Sequence, residues 1–317
     1  MEFLIATLGL GILLIAGDLL VRGAVNASLR LGVPALIVSL TVVAFGTSAP
    51  ELLIAIRAIQ DNAPGIALGN VVGSNTANIL LVLGVPALIA GLKTGECETR
   101  KSYVTMLVAS VIFIAAAFLG PLTWVHGLLL LGILALVLGD QFREALAHRR
   151  NGEAEVVGEG DLEGVDPDMP WWRIGLYTLL GLIGLPLGAD LLVDAATVIA
   201  RDFGVSETVI GLTLVAIGTS LPELATTVMA AIRKQADVAL GNVIGSNMFN
   251  LLAIMGIASF FGTIPVEAQF LQLDLWVMLG ASLLLGPFVF LSSLDLTKRW
   301  GILFCGLYAA YMYVLVA

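Results

Sequence analysis

The chain has 317 residues, of which 59% are hydrophobic and only 12% charged, and its formal net charge is −9. A soluble domain carries about twice that charged fraction, so the composition excludes an ordinary water-soluble protein and predicts a membrane protein. The two cysteines, Cys97 and Cys305, are far apart and lack the spacing of a disulfide framework or a zinc site.

Ten apolar segments are long enough to cross a bilayer, because a helix needs about 20 mostly apolar residues to span the hydrocarbon. In chain order these predicted spans are 3–21, 33–59, 66–91, 103–119, 122–139, 173–193, 207–232, 239–261, 271–291 and 300–316. They predict an all-α polytopic membrane protein. A first five-helix repeat covers 1–140, an acidic cytoplasmic linker covers 141–172, and a second five-helix repeat covers 173–317.

The basic residues predict the orientation of these spans. With both termini outside, only Arg57 and Arg201 of the 15 Lys and Arg residues lie on the outer side, and the other 13 lie in inner loops or at inner helix ends. Cytoplasmic loops of membrane proteins are enriched in Lys and Arg. We therefore expect both termini outside.

Two motifs occur twice, 172 positions apart. The sequence GTSAPE at 46–51 returns as GTSLPE at 218–223, and GNVVGSN at 69–75 returns as GNVIGSN at 241–247. Between 33–84 and 205–256, 23 of 52 positions are identical. Because each half has an odd number of spans, the second copy must enter the membrane from the opposite side. Such inverted repeats are typical of secondary transporters, whose sites lie at the midplane between the repeats.

Each GTS motif precedes a proline and a glutamate deep inside a span. Pro50 and Pro222 remove a backbone donor and clash with a carbonyl one turn back, which predicts a kink or break in each helix. Glu51 and Glu223 follow directly. An acid at membrane depth is costly and indicates a functional site, and its repetition points to one shared cation site. Alternatively, each acid has only a structural role and forms an ion pair with a buried basic residue.

The second motif predicts a polar stripe on the following span. Asn70, Ser74 and Asn78 recur every four residues, and so do Asn242, Ser246 and Asn250. The site then contains carboxylates, hydroxyls and amides but no His or Cys, which favours Na⁺ or Ca²⁺ over zinc, copper or iron. Alternatively, the polar stripes only hold neighbouring helices together. We expect Asn75 and Asn247 to be packing or capping groups, and the repeated pair Asp18 and Asp190 to have an interfacial structural role.

These doubled motifs resemble the two alpha-repeats of the cation/calcium exchanger superfamily, and the whole chain is similar to small prokaryotic sodium/calcium exchangers. The resemblance implies the following ligand positions: the acids Glu51 and Glu223, the backbone and hydroxyl groups of Thr47 and Thr219, the carbonyls of Ala44 and Ala216, the hydroxyls of Ser48, Ser74, Ser220 and Ser246, and the central amides of Asn78 and Asn250.

The resemblance also implies a function. It predicts a secondary antiporter, not an enzyme, that exchanges Na⁺ for Ca²⁺ by alternating access and exports Ca²⁺ across a prokaryotic inner membrane. We expect a monomer in the lipid bilayer with no tightly bound cofactor and no nucleic-acid partner. Potassium-dependent relatives carry Asp at the place of Asn250, which disfavours that mode here. A proton/calcium antiporter on the same fold stays open as an alternative. A passive cation channel is a weaker one, because channels are usually built from several subunits.

Overall fold

The computed structural model describes residues 1–151, 166, 168–204 and 216–316. Their longer elements are all α-helical, with short π-helical turns inside several of them. In chain order the helices are α1 (Glu2–Leu31), α2 (Ala35–Thr47), α3 (Ala49–Gln60), α4 (Pro64–Ile89), α5 (Arg100–Phe118), α6 (Trp124–Asn151), α7 (Trp171–Asp202), α8 (Ala216–Thr219), α9 (Leu221–Ile232), α10 (Ala236–Ala258), α11 (Phe270–Phe290) and α12 (Lys298–Val316).

Seven of the described helices are long and apolar enough to cross a membrane, namely α1, α4, α5, α6, α7, α10 and α11. The pair α2 and α3 would be an eighth span if it is taken as one helix bent by 41°. This confirms an all-helical polytopic membrane protein. The predicted span 207–232 lies partly outside the described residues, and α12 forms a helix where the tenth span was predicted. The number ten therefore stays a prediction.

The long helices α1 and α7 are antiparallel and pack closely along most of their length. Gly9, near the start of α1, lies against Gly188 in the second half of α7, and Gly23, near the end of α1, lies against Thr178 near the start of α7. Small residues at these contacts let the two backbones approach each other. The first helices of the two predicted repeats thus run in opposite directions.

The middle of the molecule is formed by α10, which is completely buried, and by α4, which is mostly buried. By contrast, α6 and α7 bury only a small share of their residues, as helices that face lipid do. Helix α2 packs closely on α10, since a Cβ added at Gly245 would lie 2.6 Å from the Leu40 carbonyl oxygen. Because α10 has no exposed face, its polar side chains must find partners inside the protein.

Two isolated antiparallel β-bridges each join a loop of the first half to a loop of the second half. Leu92 and Leu296 exchange backbone hydrogen bonds of 3.0 and 3.1 Å, and Leu122 and Ile264 exchange bonds of 2.8 and 2.9 Å. Leu92 and Ile264 are 172 positions apart. The loop at Leu92 in the first half and the equivalent loop at Ile264 in the second half therefore each form a bridge with the other half.

The predicted linker over 141–172 begins within a helix, because α6 continues beyond its predicted span to Asn151. Residues 152–165 and 167 lie outside the described residues. On the far side of the linker, the Asp166 N–H donates to the Asn26 side-chain oxygen at 2.8 Å, and α7 begins at Trp171.

The contact between α1 and α7 can be tested with two alanine substitutions on α7. At Gly188 a Cβ would lie 2.8 Å from the Leu13 nitrogen and 2.9 Å from the Gly9 carbonyl oxygen. We expect Gly188→Ala to lower the free energy of unfolding by about 1–3 kcal/mol, because the helices must separate. Gly175→Ala is the control, since nothing lies within 4 Å of that position. Thermal unfolding in detergent measures both, and equal melting temperatures would contradict the close packing.

Candidate functional site

Both predicted helix breaks are present and both occur at the serine of the GTS motif. Ser48, between α2 and α3, has φ −86° and ψ 3°, and Ser220, between α8 and α9, has φ −91° and ψ 5°. A proline in the first turn of α3 and of α9 explains why neither helix continues through the motif. Each glutamate consequently lies at a helix N-terminus, where the helix dipole stabilises negative charge.

The carboxyl groups of Glu51 and Glu223 are both 0% exposed and close enough for their charges to interact. The Ser48 hydroxyl donates to Glu223 Oε1 at 3.3 Å. Glu223 Oε2 and both oxygens of Glu51 have no hydrogen-bond partner among the described residues, and neither acid forms an ion pair there. A buried carboxylate without compensation is strongly unfavourable, so the pair requires a cation or protons.

Helix α10 reaches across to the broken helix of the first half. Thr47 Oγ1 lies 3.3 Å from Asn242 Oδ1 and 3.5 Å from Ser246 Oγ. The Asn242 amide in turn donates to the Glu223 backbone carbonyl at 3.3 Å and to Thr227 Oγ1 at 3.1 Å. The GNVIGSN motif of one half therefore connects the GTS motifs of both halves.

The corresponding residue of the first half, Asn70, lacks part of this network. The amide nitrogen of Asn70 is buried without a partner in the described part of the chain, and the position equivalent to Thr227 is Ala55, which has no hydroxyl. The repeat preserved the asparagine but not its partner. The two sides of the site are therefore chemically different, although their motifs are nearly identical.

Asn75 and Asn247, at equivalent positions of the repeat, bond to each other reciprocally. The Asn75 amide donates to the Asn247 carbonyl at 3.2 Å, and the Asn247 amide donates to the Asn75 carbonyl at 3.3 Å. The Asn78 amide adds a bond to Asn247 Oδ1 at 3.0 Å. The expected packing role of Asn75 and Asn247 is thus specific, because the pair joins α4 to α10 at the centre of the protein.

The polar stripes end in widened helical turns that the spacing of the sequence did not predict. π-helical turns span Asn78–Val82 in α4 and Phe249–Ile254 in α10. Such turns interrupt the regular hydrogen-bond register and occur frequently at functional sites. Both side-chain amide atoms of Asn250, which is 0% exposed, lack a partner among the described residues.

The unpartnered buried atoms are concentrated in the repeated motifs. Thirteen buried side-chain nitrogen and oxygen atoms lack a hydrogen-bond partner in the described residues, and nine of them belong to these motifs or to the polar stripes that continue them: two each on Glu51 and Asn250 and one each on Asn70, Asn75, Asn78, Ser220 and Glu223. Buried polar atoms are normally paired. Carboxylate, hydroxyl and amide oxygens together are the ligands that hard cations such as Na⁺ and Ca²⁺ prefer.

The remaining predicted ligands occupy less central places. Ser74 is buried and lines a cavity of about 500 Å³, which Thr219 also lines. Thr219 is half-buried, and it additionally lines a cavity of about 160 Å³ beside Pro50 and Pro222. Ala44 is buried, and its carbonyl accepts a bond from Thr47 Oγ1 at 3.3 Å. Ala216 begins α8, and its side chain is outside the described part.

One acid near the site was missed by the sequence analysis. Asp274 in α11 is 3% exposed, accepts a hydrogen bond from the Tyr311 hydroxyl at 3.0 Å, and lines the larger cavity with Asn70 and Ser74. The available signal was an acid inside a predicted span, which is unusual enough to indicate function. It was missed because it has no acidic counterpart in the first half.

Comparison with known proteins gave matches over nearly the whole chain. The family described as "Sodium/calcium exchanger protein" matches residues 1–142 and 174–317. The sodium/calcium exchanger MaX1 of Methanosarcina acetivorans is 35% identical over 99% of this chain and 98% of its own, and the inner membrane protein YrbG of Escherichia coli is 32% identical over 98% and 96%. A solved structure of the sodium-calcium exchanger NCX_Mj, soaked with Na⁺ and Sr²⁺, has a TM-score of 0.79 and 32% identity over 98% and 97%.

The reciprocal asparagine pair gives a prediction that does not depend on transport. We expect Asn75→Ala and Asn247→Ala each to lower the free energy of unfolding by about 1–3 kcal/mol, because each leaves a buried carbonyl without its donor. The double variant should lose about the sum of the two, because each side chain donates to a different backbone carbonyl. Thermal unfolding in detergent measures the cycle, and unchanged melting temperatures in both single variants would contradict a stabilising role of these bonds.

Proposed function

Because the chain belongs to the sodium/calcium exchanger protein family, a family of transporters and not of enzymes, we propose that it is an antiporter exchanging Na⁺ for Ca²⁺. One observation carries the proposal: two fully buried glutamates from two broken helices lie close together with three of their four oxygens unpartnered in the described residues. One Ca²⁺ or two Na⁺ neutralise such a pair, so the two ions can compete for the same carboxylates.

The proposed architecture is ten transmembrane helices in two inverted five-helix repeats, with both termini outside. Three observations support the inversion: the antiparallel α1 and α7, the reciprocal Asn75–Asn247 pair, and the two equivalent β-bridges. The first repeat would cover 1–140 and the second 173–317, joined by the cytoplasmic linker 141–172. The asymmetric distribution of Lys and Arg supports the orientation.

The proposed ion ligands are the twelve residues expected from the sequence, which come equally from the two repeats. They are Ala44, Thr47, Ser48, Glu51, Ser74 and Asn78 from the first, and Ala216, Thr219, Ser220, Glu223, Ser246 and Asn250 from the second. Contacts of Thr47 with Ser246 and of Ser48 with Glu223 support a site shared between the repeats. Ca²⁺ and Na⁺ are substrates here, and we propose no tightly bound cofactor.

Alternating access would move α1 and α7 together against the remaining helices. The two helices pack mainly on each other, which suits movement as a pair. An empty site would leave two charges buried. The protein would therefore change its side of access only while bound cations neutralise the carboxylates. With an inward Na⁺ gradient, this cycle exports Ca²⁺ across the cytoplasmic membrane of a prokaryotic cell. We propose that one chain suffices, because the site is built from residues of one chain.

The second candidate is a proton/calcium antiporter that uses the same site. Its specific support is the unpartnered carboxylate oxygens, which can accept a proton as readily as they can bind Na⁺. Against it, the central residues Asn78 and Asn250 are amides that do not titrate. The two candidates differ in the ion that must be present to drive Ca²⁺ movement.

Transport of ⁴⁵Ca²⁺ into proteoliposomes separates the two candidates. We expect uptake with internal Na⁺ and none with internal K⁺ or with an imposed pH gradient. Glu51→Gln should reduce uptake to background, because an amide cannot neutralise Ca²⁺. Glu267→Gln is the matched control at an exposed position and should transport normally. Uptake driven by the pH gradient without Na⁺ would replace the first candidate with the second, and near-normal flux in Glu51→Gln would remove both.

Cation binding can also be measured without transport. A ligand that binds only the folded state adds about 2.7 kcal/mol of stability at 100 times its Kd. We therefore expect Ca²⁺ to raise the melting temperature of the detergent-solubilised protein. Glu51→Gln and Glu223→Gln should abolish this rise, whereas Glu267→Gln should retain it. A rise of equal size in all four proteins would assign Ca²⁺ binding to some other part of the chain.

A further inference from the structure

An ion-pair cluster connects α1 to the end of α9, the helix that carries Glu223. Asp18 of α1 pairs with Arg22 one turn later, at 3.0 Å, and also with Arg233, whose Nε donates to Asp18 Oδ1. Arg233 is 8% exposed and directly follows α9. Its charge therefore lies at a helix C-terminus, where the helix dipole favours a cation. The contact crosses between the two repeats.

The positions that the repeat makes equivalent to this cluster cannot form such a pair. The positions equivalent to Asp18, Arg22 and Arg233 are Asp190, Asp194 and Asp61, all three acidic. Asp190 and Asp194 are exposed and line the cavity of about 160 Å³ that reaches Pro50 and Pro222 beside the site. Three acids cannot form an ion pair with one another, so these three positions supply no attraction of the kind that joins α1 to α9.

The same asymmetry appears in the packing next to the site. Ile54 of α3 is half-buried and lines both cavities that reach the motifs. Its repeat equivalent, Thr226 of α9, is 0% exposed. A Cβ added at Gly17 of α1 would lie 3.0 Å from the Ala225 carbonyl oxygen and 3.2 Å from the Thr226 nitrogen, so α1 covers α9 tightly there. Among the described residues, which do not include 205–215, the side of Asp190 is therefore open and the side of Asp18 is closed.

We propose that the Asp18–Arg233 ion pair, supported by Arg22, is a positioning contact that holds the passage closed on the Asp18 side and so favours access from the Asp190 side. This inference rests on the proposed function, because it assumes that α1 moves during alternating access. When the two halves exchange conformations, α1 must leave Arg233. The equivalent closure on the opposite side then gains no ion pair from these positions, because Asp61, Asp190 and Asp194 are all acidic. The charge asymmetry thus biases the equilibrium between the two access states.

The test uses a cysteine at the position that the pair keeps covered. In full-length protein with Cys97→Ser and Cys305→Ser, Thr226→Cys is labelled with a membrane-permeable maleimide. Labelling should be slow with the pair intact and should accelerate about five- to twentyfold in Asp18→Asn or Arg233→Gln, because the open population grows as the closing contact is lost. Arg233→Lys keeps the charge and should label slowly. Asp190→Asn is the matched control at the repeat-equivalent position and should not accelerate labelling.

The double variant Asp18→Asn with Arg233→Gln distinguishes a specific pair from general loosening. It should label about as fast as either single variant, because one contact can be lost only once. Unchanged labelling in both single variants, additive accelerations, or equal acceleration by Asp190→Asn would overturn the proposal. A variant with a lowered melting temperature but unchanged labelling would assign the pair to stability alone.

The labelling assay and the flux assay fail independently. Accelerated Thr226→Cys labelling without Na⁺-driven Ca²⁺ uptake would retain the closing contact and reject sodium/calcium exchange. Na⁺-driven Ca²⁺ uptake with unchanged Thr226→Cys labelling would retain sodium/calcium exchange and reject the closing contact. In a transporting protein, the single variants should also raise the ratio of the apparent KM for Ca²⁺ on the Asp190 side to that on the Asp18 side, by a factor similar to the change in labelling.

Discussion

Two carboxylates buried in the protein interior are the constraint on which the rest of this structure depends. Glu51 and Glu223 are both completely buried and lie close enough to repel each other. Most proteins avoid this arrangement because a buried charge without a partner is unstable. Here the helix breaks at Ser48 and Ser220 place each acid at a helix N-terminus, and the Ser48 hydroxyl and the Asn242 amide donate hydrogen bonds to Glu223. No basic side chain among the described residues neutralises the two acids. The negative charge of the two carboxylates therefore remains for a mobile cation to neutralise.

Contacts between the two halves, more than contacts within each half, hold this site together. Thr47 of the first half lies against Asn242 and Ser246 of the second, and Ser48 donates to Glu223. Polar contacts inside a membrane protein are modest individually, so they stabilise a site without locking it permanently. A site assembled in this way changes when one half moves relative to the other. This is the physical requirement for coupling ion occupancy to a change in access, and it follows from the placement of the motifs at the interface between the repeats.

The repeat conserved the motifs more strictly than their surroundings. Asn242 has Thr227 as a partner, whereas the position equivalent to Thr227 in the first half is Ala55, and Asp274 has no acidic counterpart in the first half. The ion-pair cluster on one side corresponds to three acids on the other. A perfectly symmetric chain would have two access states of equal energy. In the proposed alternating-access cycle these differences would remove that equality, so the divergence of the repeats, and not the motifs themselves, would set the preferred state.

The sequence by itself determined the class of protein, the helix breaks and the residues of the motifs, because hydrophobic length, proline chemistry and repetition are properties of the chain alone. It also identified Glu51 and Glu223, since an acid inside an apolar segment is conspicuous without coordinates. Only the tertiary structure decided which residues meet. The Asn75–Asn247 pair, the π-helical turns at Asn78 and Phe249, and the ion pair of Asp18 with Arg233 depend on how α1, α4, α9 and α10 pack. Those partners are up to 215 positions apart, and no local pattern can specify such contacts because they depend on the relative placement of whole helices.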